Sequence, residues 1–146
     1  TMKTYLAGSI DGEELMAQGA TDTWCFGPVL LSEGQIGQQV IDKVFEYANP
    51  RQALGMIEPN HYLLMPVEGR NKRSDGVGLI WVAEKMKELG CTEALNLDGG
   101  NSVKLVFMGE LVNSDRHYNK KNDRSVTSLI TLGTFPLDTL SQTDEQ

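Results

Sequence analysis

The chain has 146 residues, 40% hydrophobic, 7% aromatic and 23% charged, the size and makeup of one globular domain with a single buried core rather than of a disordered chain. Its 20 acidic residues outnumber the 13 basic ones, for a formal charge of −7, which opposes a general attraction to nucleic acid or to an anionic membrane, so an anionic ligand would need a local cationic pocket. No stretch approaches the roughly 20 apolar residues that span a bilayer, and Cys25 and Cys91 form no CxxC pair for a metal knuckle or redox dithiol; they read as two free thiols, with a disulfide as the alternative in an oxidising compartment.

In chain order, residues 5–15 carry a turn signal at Asp11-Gly12 between short apolar runs and predict a hairpin. In residues 24–31 the Gly27-Pro28 pair breaks an apolar run; proline donates no ladder hydrogen bond, so no central strand runs through it. Ile36, Val40, Val44 and Tyr47 recur at three- and four-residue spacing, the pattern of a surface helix over 36–49 or of a long excursion. Residues 52–57 and 62–67 are apolar and flank Glu58-Pro59-Asn60-His61, which predicts a hairpin.

Ser74 or Asp75 can cap a helix over 77–89 by accepting a backbone N–H bond. That helix places Leu79, Val82, Ala83, Met86 and Leu89 on one face and Lys85, Lys87 and Glu88 on the wet side, with Gly90 as its stop. Residues 94–97 read as a short buried strand, 103–108 as a strand returning through Leu111-Val112, and 125–132 as a final alternating strand after a polar loop. The fold class predicted is α+β: a mixed, largely antiparallel sheet with the 77–89 helix packed on it. It forms one domain over 1–137, followed by a polar, acidic tail at 138–146.

The sharpest chemical feature is Asn96-Leu97-Asp98-Gly99-Gly100-Asn101-Ser102, where a buried strand ends in an acid, two glycines and small polar residues. Consecutive glycines allow positive φ, so their N–H groups can converge into an anion nest beside the carboxylate. A plain Asp-Gly turn explains the same residues. Arg51, Glu68, Arg70, Ser74 and Arg124 stand at the ends of apolar runs, where sites are often assembled.

Pro50-Arg51-Gln52-Ala53-Leu54-Gly55, Glu68-Gly69-Arg70, Ser74-Asp75-Gly76 and residues 96–102 resemble, in order and spacing, successive motifs of the phosphodiester glycosidase family. The segment from Trp24 to Leu30 resembles the stretch before the first motif, and Asp123-Arg124-Ser125-Val126 the closing arginine segment. Gln52, Glu68 and Asn101 depart mildly from the family, which often has Thr, Asp and Gly there. Family domains carry further strands before the Trp24 segment. The resemblance therefore implies a domain short of its N-terminal portion, completed by an upstream segment or a partner chain.

The resemblance implies a hydrolase that cleaves the bond between a sugar's anomeric carbon, N-acetylglucosamine-like, and a phosphodiester such as a phosphorylated cell-envelope glycan, in an extracytoplasmic or secreted setting. Asp98 and Glu68 are the catalytic candidates, because glycosidic cleavage commonly uses two carboxyl groups. A phosphate leaving group needs less protonation than an alcohol, so one carboxylate can suffice. Arg51, Arg70 and Arg124 would hold phosphate oxygens in bidentate forks, while Ser74, Asn96, Gly99, Gly100, Asn101 and Ser102 would shape the substrate site. A non-catalytic glycan- or phosphate-binding module, or a fragment of a larger assembly, is the alternative reading.

His61 and His117 sit in no metal-ligand or Ser-His-Asp pattern and read as surface residues. No cofactor is required. Calcium would find oxygen ligands at Asp98 with Asp115 or Asp123, although no EF-hand spacing asks for it.

Overall fold

The structure is a computed structural model that describes residues 1–113, 125–126 and 129–133. Its elements are α1 (Gly12–Ala17), β1 (Val29–Ser32), β2 (Gln35–Ile36), α2 (Gln38–Ile41), β3 (Arg51–Glu58), β4 (His61–Val67), α3 (Leu79–Glu88), β5 (Glu93–Leu97), a 3-10 turn (Gly100–Ser102), β6 (Val106–Phe107) and β7 (Glu110–Leu111). The main sheet has five strands in the order β2-β1-β5-β3-β4, every neighbouring pair antiparallel. An α+β fold with an antiparallel sheet is what the sequence predicts.

β3 and β4 form the expected hairpin, turning at Asn60, whose φ of 67° is one that Asn tolerates. Pro66 falls in β4, an edge strand, where its missing N–H costs least. β5 lies on the other side of β3 with Leu54 opposite Leu95. β1 starts directly after Pro28, as the broken apolar run implies.

The helix α3 buries Leu79, Val82, Ala83 and Met86 against Leu30, Leu31, Ala53 and Ala94 of the sheet. It ends as glycine-stopped helices do. Gly90 takes φ 89°, its N–H donates to Lys87 O and the Cys91 N–H reaches Met86 O, so two carbonyls of the last turn are satisfied. Gly55 lets β3 come close beneath: a Cβ there would stand 2.5 Å from Met86 Cε and 2.8 Å from Cys91 Sγ. The N-terminal segment is tied to the same sheet, Thr4 donating its N–H to the buried Glu93 carboxylate (2.9 Å) and its hydroxyl to that carboxylate and to Leu31 O.

Five local expectations need correction. Asp11-Gly12 opens α1 rather than a hairpin: Asp11 accepts the Glu14 N–H at 2.9 Å, and Glu14 accepts the Asp11 N–H at 3.3 Å, a reciprocal cap whose acid-x-x-Glu spacing also stands in the sequence. The 36–49 helix shrinks to α2, because Lys43 (φ 58°) and Phe45 (φ 60°) leave helical geometry. α3 begins at Leu79, so neither Ser74 nor Asp75 caps it; the Ile80 N–H is taken instead by Glu46 Oε2, 3.0 Å away, from the preceding loop. The 103–108 strand is reduced to β6, paired only with β7. Of the expected closing strand, Ser125, Val126 and 129–132 are not in a strand, and 127–128 lie outside the described residues, as does the 138–146 tail.

Candidate functional site

The polar end of β5 and the loops around it enclose a cleft of about 630 Å³. Asp98 lines it directly after the strand, followed by Gly99, Gly100 and Asn101. Gly99 lies against the β3 entry: a Cβ on it would be 2.6 Å from Pro50 O. Gly100 adopts φ 60°, and its N–H donates to the same carbonyl at 2.9 Å. This corrects the anion-nest expectation, since the Gly100 N–H serves the chain's own backbone. What the missing side chain of Gly100 admits is Arg70, whose Nη1 is 3.2 Å from where a Cβ would be.

Arg70 stands at φ 53° and donates from Nη1 to Asn101 Oδ1 at 3.3 Å. Its side chain is exposed toward the cleft it lines. The loop that carries it is held from within. The buried Asn71 accepts the N–H groups of Arg73 (2.8 Å) and Ser74 (3.1 Å) and donates to Glu68 Oε2 and Gly69 O at 3.4 Å. Ser74 donates its hydroxyl to Glu68 O at 2.9 Å and accepts the Gly76 N–H at 3.1 Å.

Arg51 is employed differently. It is 5% exposed, and it donates from Nε to Val77 O (3.1 Å) and from Nη2 to Phe45 O and Tyr47 O (2.7 Å each), while its guanidinium lies 5.1 Å from the Tyr47 ring centroid. Burial lowers its pKa, with Tyr47 and Glu46 pushing the other way and Arg70 adding to the lowering. Arg51 therefore lines the cleft while spending two of its three nitrogens on the 45–47 loop and on Val77.

Asn96, in β5 two residues before Asp98, is 4% exposed. Its Nδ2 donates to Gly27 O at 2.7 Å, which fixes the orientation of the amide. Its Oδ1 is then a buried acceptor without a partner among the described residues. The opposite rim is apolar: Phe26, Phe45 and Tyr47 line the cleft, as does the N-terminal segment from Tyr5 to Ala7. Among the described residues no cluster of three His, Cys, Asp or Glu could hold a metal ion. The calcium expectation falls partly on Asp115 and Asp123, which lie outside them.

The sequence model for phosphodiester glycosidases matches residues 5–132. The chain belongs to the phosphodiester glycosidase family. It is 29% identical over 116 residues to the SPbeta prophage-derived uncharacterized protein YomE of Bacillus subtilis (strain 168), an alignment covering 78% of this chain and 18% of that protein. A crystal structure of a hypothetical protein from Synechocystis superposes with a TM-score of 0.50 at 26% identity, over 60% of this chain and 17% of the other. The catalytic domain of zebrafish N-acetylglucosamine-1-phosphodiester alpha-N-acetylglucosaminidase, auto-inhibited by its pro-peptide, gives 0.49 at 26% identity, over 58% and 32%. The chain thus spans less than a fifth of the length of YomE and of the Synechocystis protein.

Of the residues that the phosphodiester glycosidase resemblance singled out, the cleft gathers Arg51, Arg70, Asn96, Asp98, Gly99, Gly100 and Asn101. Glu68, Ser74 and Ser102 do not line it. Glu68 and Ser74 belong to the framework of the Arg70 loop, and Ser102 is buried in the 3-10 turn. Arg124 lies outside the described residues, as does His117, while His61 is exposed beside Glu58. Sequence reasoning missed Phe45 and Tyr47: Tyr47 counts there as one position of a helical stripe, and nothing in the local pattern marks Phe45.

Proposed function

We propose that the chain hydrolyses the bond between a sugar's anomeric carbon and a phosphodiester, with Asp98 as the carboxylate of the reaction. The observation that carries this reading is the meeting of Asp98 and Arg70 over the Gly99-Gly100 turn in one cleft. The planar fork of Arg70 suits phosphate oxygens and the charge that grows on them as the bond breaks. Asp98 takes a proton from the attacking water. The water oxygen bonds to the anomeric carbon while the bond from that carbon to the bridging phosphate oxygen breaks, and its electron pair leaves on that oxygen with the phosphomonoester.

Because that leaving group is already a weak base, the scheme does without a second carboxylate, which agrees with Glu68 standing off the cleft. Asn96 supports the sugar side of the reading. Its Oδ1 needs a donor, which a sugar hydroxyl or acetamido N–H supplies and a phosphate oxygen does not. An N-acetylglucosamine-like sugar and a cell-envelope glycopolymer are the substrate that the family resemblance suggests.

Release of free sugar from the methyl phosphodiester of N-acetylglucosamine 1-phosphate tests the proposal. Asp98→Asn is expected to lower turnover at least about a hundredfold, the scale of a lost general base, with unchanged circular dichroism. Near-wild-type turnover in that variant would remove Asp98 from the chemistry, and binding without turnover in the wild type would leave a sugar-phosphate-binding module.

A further inference from the structure

The segment between α2 and β3 is costly to build as it stands. Lys43 and Phe45 both adopt left-handed backbone, with φ of 58° and 60°, a conformation uncommon for bulky residues and sustained only when neighbours over-determine it. Here they do. Arg51 grips the carbonyls of Phe45 and Tyr47, and Glu46 between them is anchored on the first turn of α3. The product is a pair of aromatic rings, edge to face at 77° with centroids 6.5 Å apart, fixed on the rim of the cleft.

Those rings are not packed into the core. Phe45 is 52% exposed and Tyr47 60%, and Phe26, also on the rim, is 55% exposed. Three half-exposed aromatic residues around one cleft form an apolar surface of the sort that marks binding sites. One side of Tyr47 is occupied by the Arg51 guanidinium and the two rings meet edge to face, which leaves their remaining exposed surface to meet a ligand. The nitrogens of Arg51 that approach this loop are committed to carbonyls, so the exposed aromatic rim suits a neutral group, joined to an anionic one at the Arg70 end.

We propose that Phe45 and Tyr47, with Phe26 lining the same cleft, form a stacking subsite for the neutral pyranose ring of a sugar phosphate, and that Arg51 positions the platform. The electron-rich face of an aromatic ring attracts the polarised C–H groups on the flat side of a pyranose, while the ring hydroxyls stay turned to water and to polar neighbours such as Asn96. This rests on the sugar-phosphate reading above and assigns the sugar its place within it.

The test compares the affinities of inorganic phosphate and N-acetylglucosamine 1-phosphate by titration calorimetry, on the wild type and on Phe45→Asn, Tyr47→Ala and Tyr47→Phe. Asn tolerates the φ of position 45, so Phe45→Asn removes the ring and keeps the loop. In the wild type the sugar phosphate is expected to bind about tenfold more tightly than phosphate. That advantage should shrink to about twofold or less in Phe45→Asn and Tyr47→Ala, survive in Tyr47→Phe, and leave the affinity for phosphate itself unchanged throughout.

If the sugar confers no advantage in the wild type, or if the advantage persists in both ring-deleted variants, the stacking subsite is overturned while phosphate binding leaves the Arg70 end intact. Equal losses for both ligands would overturn it too, since the rings would then act only on the loop's fold. If the wild type binds neither ligand, the sugar-phosphate reading falls and the subsite with it.

Discussion

Arg51 gives its Nε–H to Val77 O and both Nη2 bonds to Phe45 O and Tyr47 O, whereas Arg70 donates to the Asn101 side chain on the cleft wall. The two arginines are alike in the sequence and diverge in consequence. Arg51→Met would leave the Phe45 and Tyr47 carbonyls without their donor, while Val77 O keeps the Asn49 N–H, and each acceptor so orphaned costs about 1–3 kcal/mol before relaxation. Urea unfolding is expected to show a loss of roughly 3 kcal/mol. Arg70→Ala should change stability by less than about 0.5 kcal/mol, as exposed side chains do. Its affinity for inorganic phosphate should drop about tenfold or more, the scale of one charge-assisted pair. The converse pattern, a stable Arg51→Met and an unstable Arg70→Ala with intact phosphate binding, would exchange the roles assigned here.

At the scale of elements, the capping of α3 shows what the sequence could and could not reveal. Its apolar stripe and its Gly90 stop are local patterns and read correctly for Leu79, Val82, Ala83 and Met86, but Leu89, expected on the same face, follows the helix as its C-cap and is exposed. Its start does not, because Gly78 carries no capping side chain and the acceptor for Ile80 N–H comes from Glu46, which is near only after the 42–48 loop has folded back. Gly78 is itself explained by that approach: a Cβ would stand 2.1 Å from Glu46 Oε1. Glu46→Ala is expected to destabilise the protein by about 1 kcal/mol, the usual value of a lost N-cap. Glu46→Gln should retain the hydrogen bond and lose only the charge–dipole part, about 0.3–1 kcal/mol. The urea midpoints of the two variants measure both, and equal midpoints would mean that the bond to Ile80 contributes nothing. The site was legible to the same degree and for the same reason. Asp98 and its glycines form one contiguous motif and Arg70 another, while the aromatic rim depends on a loop whose left-handed residues carry no glycine to announce them.

For the molecule as a whole, the core is closed beneath α3 by Cys91, which lies 2.8 Å from the position a Gly55 Cβ would take, while Cys25 is exposed and both thiols are free. Burial pushes the Cys91 thiol pKa up from its ordinary value. The sign of the resulting pH dependence follows from which state keeps its proton. The folded state holds the Cys91 proton to higher pH than the unfolded chain, whose thiol ionises near about 8.5. The contribution to stability is therefore fully present below that pH and is lost as pH rises from there through the folded pKa. Other groups titrate in the same range, so the measurement is a difference: urea unfolding of wild type and Cys91→Ala at steps from neutral pH to about pH 10. Cys91→Ala should be less stable at neutral pH, through the lost packing against Met86 and β3, and the gap should narrow as the wild type loses stability above about pH 8.5. Iodoacetamide supplies the kinetic counterpart, since the reactive species is the thiolate. Cys25 should label readily in the native protein and Cys91 only once denaturant opens the core. A gap between wild type and variant that stays constant across the alkaline range would mean that Cys91 contributes packing alone, and that the alkaline limit of this fold is set by another group.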